Sequence, residues 1–390
     1  MRTQLPSLLT VLALITGVHS ALAQQPALRI TPSGRQAILT WTSTATSFVL
    51  KSTTNVAPPN WLPVTNTVTL ANNTNTVTVT NASATMFFRL FGTNTPLAAP
   101  AGMVAIPAGS FTIGDSLDGD ANAIPTNVTV SQFYMDTNLV TYSLYQSVTN
   151  YALANGYGFV NTGAAKNQVT NQPVQNLDWY DAVKWCNARS QQAGLTPVYY
   201  TNAGMTQVFV YGDSGTTVYA NWANNGFRLP TEAEWEKAAR GGAAGMRFPW
   251  ANTNKISESW ANYNGYTGTL GGYDLGPNGL NSIGKAGGTS PATSPVGSFP
   301  ANGYGLYDMA GNVNEWCWDW YDDTMSPPPA GSAYAGGTDP HGPASSPYGE
   351  FVARGGYWNG SAFYARVANR NAYGPTYANN DIGFRCVRGH

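Results

Sequence analysis

Charge is scarce in this chain. Lysine, arginine, aspartate and glutamate make up 10% of its 390 residues, where an average soluble domain carries roughly a quarter. Net charge is −1 and no basic run occurs, which argues against nucleic acid or an anionic membrane surface as partner. Histidine is scarcer still, with three in all: His19 near the start, His341, and His390 as the last residue. That excludes a multi-histidine iron, zinc or copper centre and handicaps any mechanism needing an imidazole base. Cysteine also numbers three, so pairing leaves one thiol over. Beyond the first 23 residues no stretch is apolar for long enough to span a bilayer.

The N-terminus reads as a leader. Arg2 precedes the apolar stretch 5–18, which is too short for a membrane anchor, and Ala21 and Ala23 fit cleavage before Gln24. Residues 1–23 are therefore expected to be a signal peptide, and the mature protein to be secreted, periplasmic or at the cell surface. Asn, Thr, Ser, Gly and Tyr supply the polar balance that charge does not.

Residues 27–93 read as short strands. "AILTW" (37–41), "SFVLKS" (47–52), "TNTVTVTN" (74–81) and "MFFRLF" (86–91) are rich in β-branched and aromatic residues and separated by turn formers. The spacing points to a small β-sandwich, fibronectin-type-III-like, acting as a spacer. A Pro-containing linker follows at 94–102, and a larger domain runs over 103–388. Three helices are expected in it. Thr141 caps one through about Ala154, with Leu144, Val148 and Tyr151 on one face. Another covers 178–193, with Trp179, Val183 and Cys186 inward and Gly194 ending it. The third lies in "RLPTEAEWEKAARGG" (228–242), where Thr231 and Glu234 form a capping box.

Several stretches mimic active-site motifs. "GDSG" within 211–219 has the look of a serine-protease nucleophile, but the only upstream histidine, His19, leaves with the leader; a hairpin turn is the better reading. "DSLDGDAN" (115–122) lacks the closing glutamate of a calcium loop and reads as a solvated turn. Glu232 and Glu236 share a helix face and are read as structural ion-pair partners for Arg228, Lys237 or Arg240. "LYDMAGNVNEWCWDW" (306–320) is different. Asp308 and Glu315 bracket a glycine-centred turn, and two carboxylates with turned-in carbonyls are what Ca²⁺ requires. Trp316, Trp318 and Trp320 alternate as on a half-buried strand. A calcium cradle and plain core both remain open on these residues alone.

"MVAIPAGSFTIG" (103–114), "RLPTEAEWEKAARGG", "RFPW" (247–250), "NGYGLYDMAGNVNEW" (302–316), "ARGGYW" (353–358) and "NDIGFRC" (380–386) together resemble the sulfatase-modifying-factor family, best known for formylglycine generation. The resemblance implies an α+β, C-type-lectin-like fold with much irregular structure. It implies a structural calcium site at Asp308, Gly311, Val313 and Glu315, the glycine and valine through carbonyls. Asn262 and Tyr263 match part of a second calcium site whose acid falls in 286–295, where this chain has none. Cys186 and Cys386 match a bridged pair, leaving Cys317 odd. Formylglycine-generating members hold copper(I) with two cysteines just after their "RGGS" turn. Here Tyr357 stands for that serine and no cysteine lies between 318 and 385, so neither copper nor iron is expected. Asn314 replaces a family tryptophan.

The expected function is a non-catalytic, calcium-stabilised module that binds a protein segment or a glycan, with Tyr357, Trp358, Tyr364, Tyr373 and Tyr377 as its aromatic face. The alternatives are a divergent formylglycine-generating-type oxidoreductase or another peptide-modifying enzyme, and an envelope-assembly role.

Overall fold

The computed structural model describes residues 11–13, 28–33, 36–42, 48–54, 62–64, 66–71, 74–80, 86–92, 99–268, 272–282 and 290–389. The chain divides into two compact units, Met1–Ala98 and Ala99–His390. The leader expected over 1–23 lies outside the described residues, apart from a short strand at Val11–Ala13.

The first unit holds two four-stranded sheets. One orders Val11–Ala13, Met86–Gly92, Phe48–Thr53 and Leu62–Pro63; the other Arg29–Ser33, Gln36–Thr42, Thr74–Thr80 and Thr69–Ala71. Side chains alternate along a strand, so every second residue faces one way. Ala37, Leu39, Trp41, Val77 and Val79 from one sheet thus meet Leu50, Phe88 and Leu90 from the other in one apolar cluster.

The larger unit combines three helices with short sheets. Helix α1 (Tyr142–Ala154) is capped by Thr141, whose hydroxyl accepts the Leu144 amide. Its inward face is Tyr142, Tyr145, Val148 and Ala152. Leu144 and Tyr151, expected to face inward with Val148, are not among its buried residues, because Tyr145 stacks on Trp185 and takes that side. Helix α2 (Trp179–Gln192) starts at Asp178, which accepts the Asp181 amide, and ends before Gly194 at φ +69°. Helix α3 (Glu232–Ala239) has the full capping box of Thr231 and Glu234. All eight of its residues are buried, charged ones included.

Two three-stranded sheets flank α3. Met103–Ile106 and Val387–Arg388 pair with Phe133–Asp136; Gly109–Ile113 and Gly337–Thr338 pair with Thr126–Val130. A four-stranded sheet orders Asn371–Tyr373, Phe351–Arg354, Asn314–Trp320 and Ile382–Gly383. The first two pairings are antiparallel and the last parallel.

The buried glutamates of α3 find arginines both beside the helix and from distant segments. Arg370 binds Glu232 through both oxygens at 2.7 and 2.9 Å, and Arg228 binds Glu234 at 2.6 Å twice. Glu236 is shared by Arg240 and Arg354. The expectation that these acids are structural agrees with this, but Lys237 donates to the Gly109 and Val130 carbonyls instead, and Arg354 and Arg370 were not foreseen as partners. The acidic loop 115–122 also departs from its expected solvated state: Asp118 pairs with Arg247 and Arg366, and Asp120 with Arg366.

Removing one partner of a buried pair leaves an uncompensated charge, whereas removing both does not. Arg370→Met should therefore lower unfolding free energy by about 3–5 kcal/mol, and the Arg370→Met/Glu232→Met double variant should recover most of that loss. Urea denaturation at neutral pH measures both. Equal losses in single and double variants would contradict a charge-pairing role.

Candidate functional site

The run 306–320 begins with a reversal of the backbone. Asp308, Gly311 and Asn312 all have positive φ, at 58°, 80° and 71°. Gly311 lies so close to the Asn262 carbonyl that a Cβ would sit 2.1 Å from its oxygen, which admits only glycine. The Asn312 amide donates to the same carbonyl, joining the 262–263 segment to the 308–315 turn. Beyond the turn the Asn314–Trp320 strand separates two environments. Trp316 and Trp318 pack toward the α1–α2 core, while Cys317 packs into the cluster around α3.

The hard-oxygen groups are placed as follows. Asp308 is buried and accepts the Gly297 amide at 2.8 Å; burial pushes its carboxyl up to about 6. Glu315 is fully buried and held by Arg385 through both oxygens, at 2.6 and 2.9 Å. Asn262 donates to the Ala292 carbonyl at 2.7 Å, and its own side-chain oxygen has no partner. Tyr263 donates its hydroxyl to Asp274 at 2.6 Å. Among the described residues no three Asp, Glu, His or Cys side chains converge as a metal-binding group, so a cation here would depend on carbonyl and amide oxygens. The donor chemistry fits calcium in part. Asp308 is in no direct ion pair among the described residues and feels Arg385 only at longer range, whereas Arg385 pairs directly with Glu315 while leaving lone pairs on its oxygens.

The aromatic candidates gather on the neighbouring strands. Gly356, at φ +75°, packs its Cα against the Tyr364–Ala365 backbone and brings Tyr357 beside Tyr364, with ring centroids 5.7 Å apart. Tyr373 stacks on Tyr377 at 4.4 Å. Asn314 donates to the Tyr373 hydroxyl at 3.0 Å and accepts from Asn371 at 2.9 Å. The Tyr377 hydroxyl donates to Asp381. Burial, then the Asp381 charge, pushes the Tyr373 hydroxyl up, and Tyr357, Tyr377 and Tyr364 act the same way. Burial alone is the largest influence on Tyr357, pushed up to about 12. These four tyrosines thus form one face, joined by Asn314, Asn371 and Asp381, which sequence reasoning had not assigned to it. Trp358 does not: it is buried, with its indole N–H on the Asn380 carbonyl at 2.9 Å.

Chemically reactive groups are absent from that face. All three cysteines are buried thiols. The Cys186 and Cys386 sulfurs face each other at 3.5 Å, and burial pushes the Cys186 thiol well above its ordinary range. Cys317 is likewise buried, with its thiol pushed up by burial. His341 stacks on Trp222 at 3.7 Å, and burial lowers its pKa, which favours the neutral ring. The "GDSG" segment forms turns, as expected, between the 199–200 and 219–220 strands.

Few helices, short strands and long ordered irregular segments around buried ion pairs define an α+β scaffold whose loops carry the site. The chain belongs to the family of the sulfatase-modifying factor enzyme 1-like domain, whose model matches residues 88–390. It is 32% identical over 303 residues to a formylglycine-generating enzyme of Thermomonospora curvata, covering 73% of this chain and 93% of that one. It is 30% identical over 290 residues to the chaperone protein LppX of Paenibacillus barcinonensis, covering 73% and 89%. Among solved structures, Treponema denticola variable protein 1 aligns with a TM-score of 0.55 at 28% identity, covering 84% of this chain and all of the other. CarF aligns at 0.53 and 28%, covering 75% and 99%.

Proposed function

We propose that this protein is an exported, non-catalytic member of its family that binds a protein segment or a glycan through the tyrosine face. The observation that carries the reading is the pairing of Tyr357 with Tyr364 and of Tyr373 with Tyr377 on neighbouring segments after the "RGG" turn, the stretch in which the family resemblance would put copper-binding cysteines. Rigid tyrosines supply contact area and hydroxyls at low entropic cost. None is a soft ligand for copper(I). On this reading the small N-terminal unit is a spacer. The likeness to formylglycine-generating enzymes favours a second reading, an oxidase acting on a protein cysteine. A peptide containing Cys-x-Pro-x-Arg, incubated with the protein, copper, reductant and oxygen, should give no aldehyde product by mass spectrometry. Turnover that survives Cys317→Ser would demand a redox centre other than the one odd thiol and would overturn the non-catalytic reading.

Calcium is proposed as a structural ion held by Asp308, the Gly311 and Val313 carbonyls and Glu315, with Asn262 and Tyr263 contributing to the adjoining segment. The support is a buried Asp308 without a direct ion-pair partner among the described residues and the orphaned Asn262 oxygen. Ligand bound only to the folded state stabilises by mass action. Excess chelator should therefore lower the melting temperature of the wild type and leave Asp308→Ala unmoved. A wild-type curve indifferent to chelator and to added Ca²⁺ would remove the ion.

A Cys186–Cys386 bridge is proposed in the oxidising environment outside the cell. The two sulfurs are already in contact across 200 residues of chain. Closing such a loop should stabilise by roughly 3–5 kcal/mol in the chain-entropy model. Peptide mapping without reduction should recover these two cysteines linked and Cys317 free; a linked Cys317 would refute the pairing.

A further inference from the structure

A second aromatic surface shares no lining residue with the tyrosine face, although its Phe351 pairs with Tyr373 across the sheet. A cleft of about 630 Å³ opens between the end of the Asn314–Trp320 strand, the start of α2 and the 215–219 segment. Phe351 forms its floor, sandwiched between Trp179 at 3.9 Å and Trp320 at 3.8 Å, with interplanar angles of 10° and 19°. Trp318 continues the wall, stacked on Tyr199 at 5.2 Å and held edge-on by Trp222. Trp179 and Phe351 are buried, whereas Trp318 and Trp320 are partly open to solvent.

We infer that this cleft is a binding site for a neutral saccharide. Three features select that chemistry. No charged side chain lines the cleft, so it offers nothing to an ionic ligand and does not repel a neutral one. Its walls are aromatic faces, which carry partial negative charge and attract the weakly positive C–H hydrogens on the face of a pyranose ring. Its rim carries the Thr216, Thr217 and Tyr219 hydroxyls. The indole N–H groups of Trp318 and Trp320 add donors, having no hydrogen-bond partner among the described residues. Such groups match the hydroxyls around a sugar's edge. The rings are fixed by stacking before any ligand arrives, so binding loses little side-chain freedom.

A peptide strand is the less suitable guest. Adding a strand needs a free sheet edge, and the Phe351–Arg354 strand beneath the cleft is paired on both sides. An apolar guest would leave the rim hydroxyls without partners.

The proposal is tested on the full-length protein by tryptophan fluorescence and calorimetry, titrating cellohexaose, maltohexaose, laminarihexaose and chitohexaose to millimolar concentration. At least one should give saturable binding. Trp320→Ala should weaken it about tenfold or more. Thr217→Trp, which blocks the mouth from an exposed position and spares the core, should do the same. A sugar held by the cleft should be weakened more by Trp320→Ala than by Tyr357→Ala, which reports on the tyrosine face. No saturable signal with any of the four sugars would overturn the proposal. So would binding that persists in Thr217→Trp with wild-type circular dichroism. Binding lost in Tyr357→Ala but kept in Trp320→Ala would move the sugar to the tyrosine face and overturn it equally.

Discussion

Helix α3 carries three glutamates into an interior that excludes water, and much of the larger unit is arranged to neutralise them. A lone buried carboxylate costs several kcal/mol, so each must meet a cation wherever the chain can supply one. Arg228 comes from just before the helix, and Arg240 from its end. The remaining two, Arg354 and Arg370, are the ends of a single segment. Pinning both ends against α3 fixes the course of everything between them. The Gly355–Gly356 turn and the positions of Tyr357 and Tyr364 therefore follow from charge pairing on a helix that none of those tyrosines needs to touch.

The Asn314–Trp320 strand divides this interior by simple alternation. On one side Glu315 meets Arg385, and Asp319 accepts the first amide of α3 at 2.8 Å, tying strand to helix. On the other side Asn314 reaches the tyrosine face, and Trp316, Trp318 and Trp320 enter the aromatic stack. A register slip of one residue would exchange charge for tryptophan along the whole strand. The tyrosine face, the tryptophan cleft and the charged interior thus depend on the alternation of one strand. The Gly311 turn against Asn262 fixes it at the start, and the parallel pairing of Asn314 with Ile382 holds it.

How much of this was legible depended on range. Caps act over three or four residues, so Thr141 and the Thr231–Glu234 box could be read directly. The tyrosines after the "RGG" turn were legible through their place in a family pattern. The α1 face was misjudged because Leu144 has the right spacing but no partner, whereas Tyr145 has Trp185 forty residues on. The acids of 115–122 pair with Arg247 and Arg366, and Glu232 with Arg370, across more than a hundred residues. Local periodicity carries no signal at that separation. The tryptophan cleft was hidden for the same reason: its walls come from four segments, and each of its tryptophans reads locally as core.

The scarcity of charge takes on a different meaning once the fold is known. About half of the chain's few charged residues are buried, most of them in ion pairs within the larger unit. Ordinary domains keep such groups in water, where they set solubility and attract charged partners. Here they are committed to holding irregular segments in place, a role that regular secondary structure fills elsewhere. The surface left over is sparsely charged and rich in Tyr, Asn and Thr. Long-range electrostatic steering is therefore weak, and recognition must come from contact: stacked rings and hydroxyls placed by a rigid interior. That combination favours neutral ligands held by shape and aromatic faces over ionic ones. The ion pairs that build the fold also lie away from the tyrosine face, so the scaffold does not depend on what that face carries.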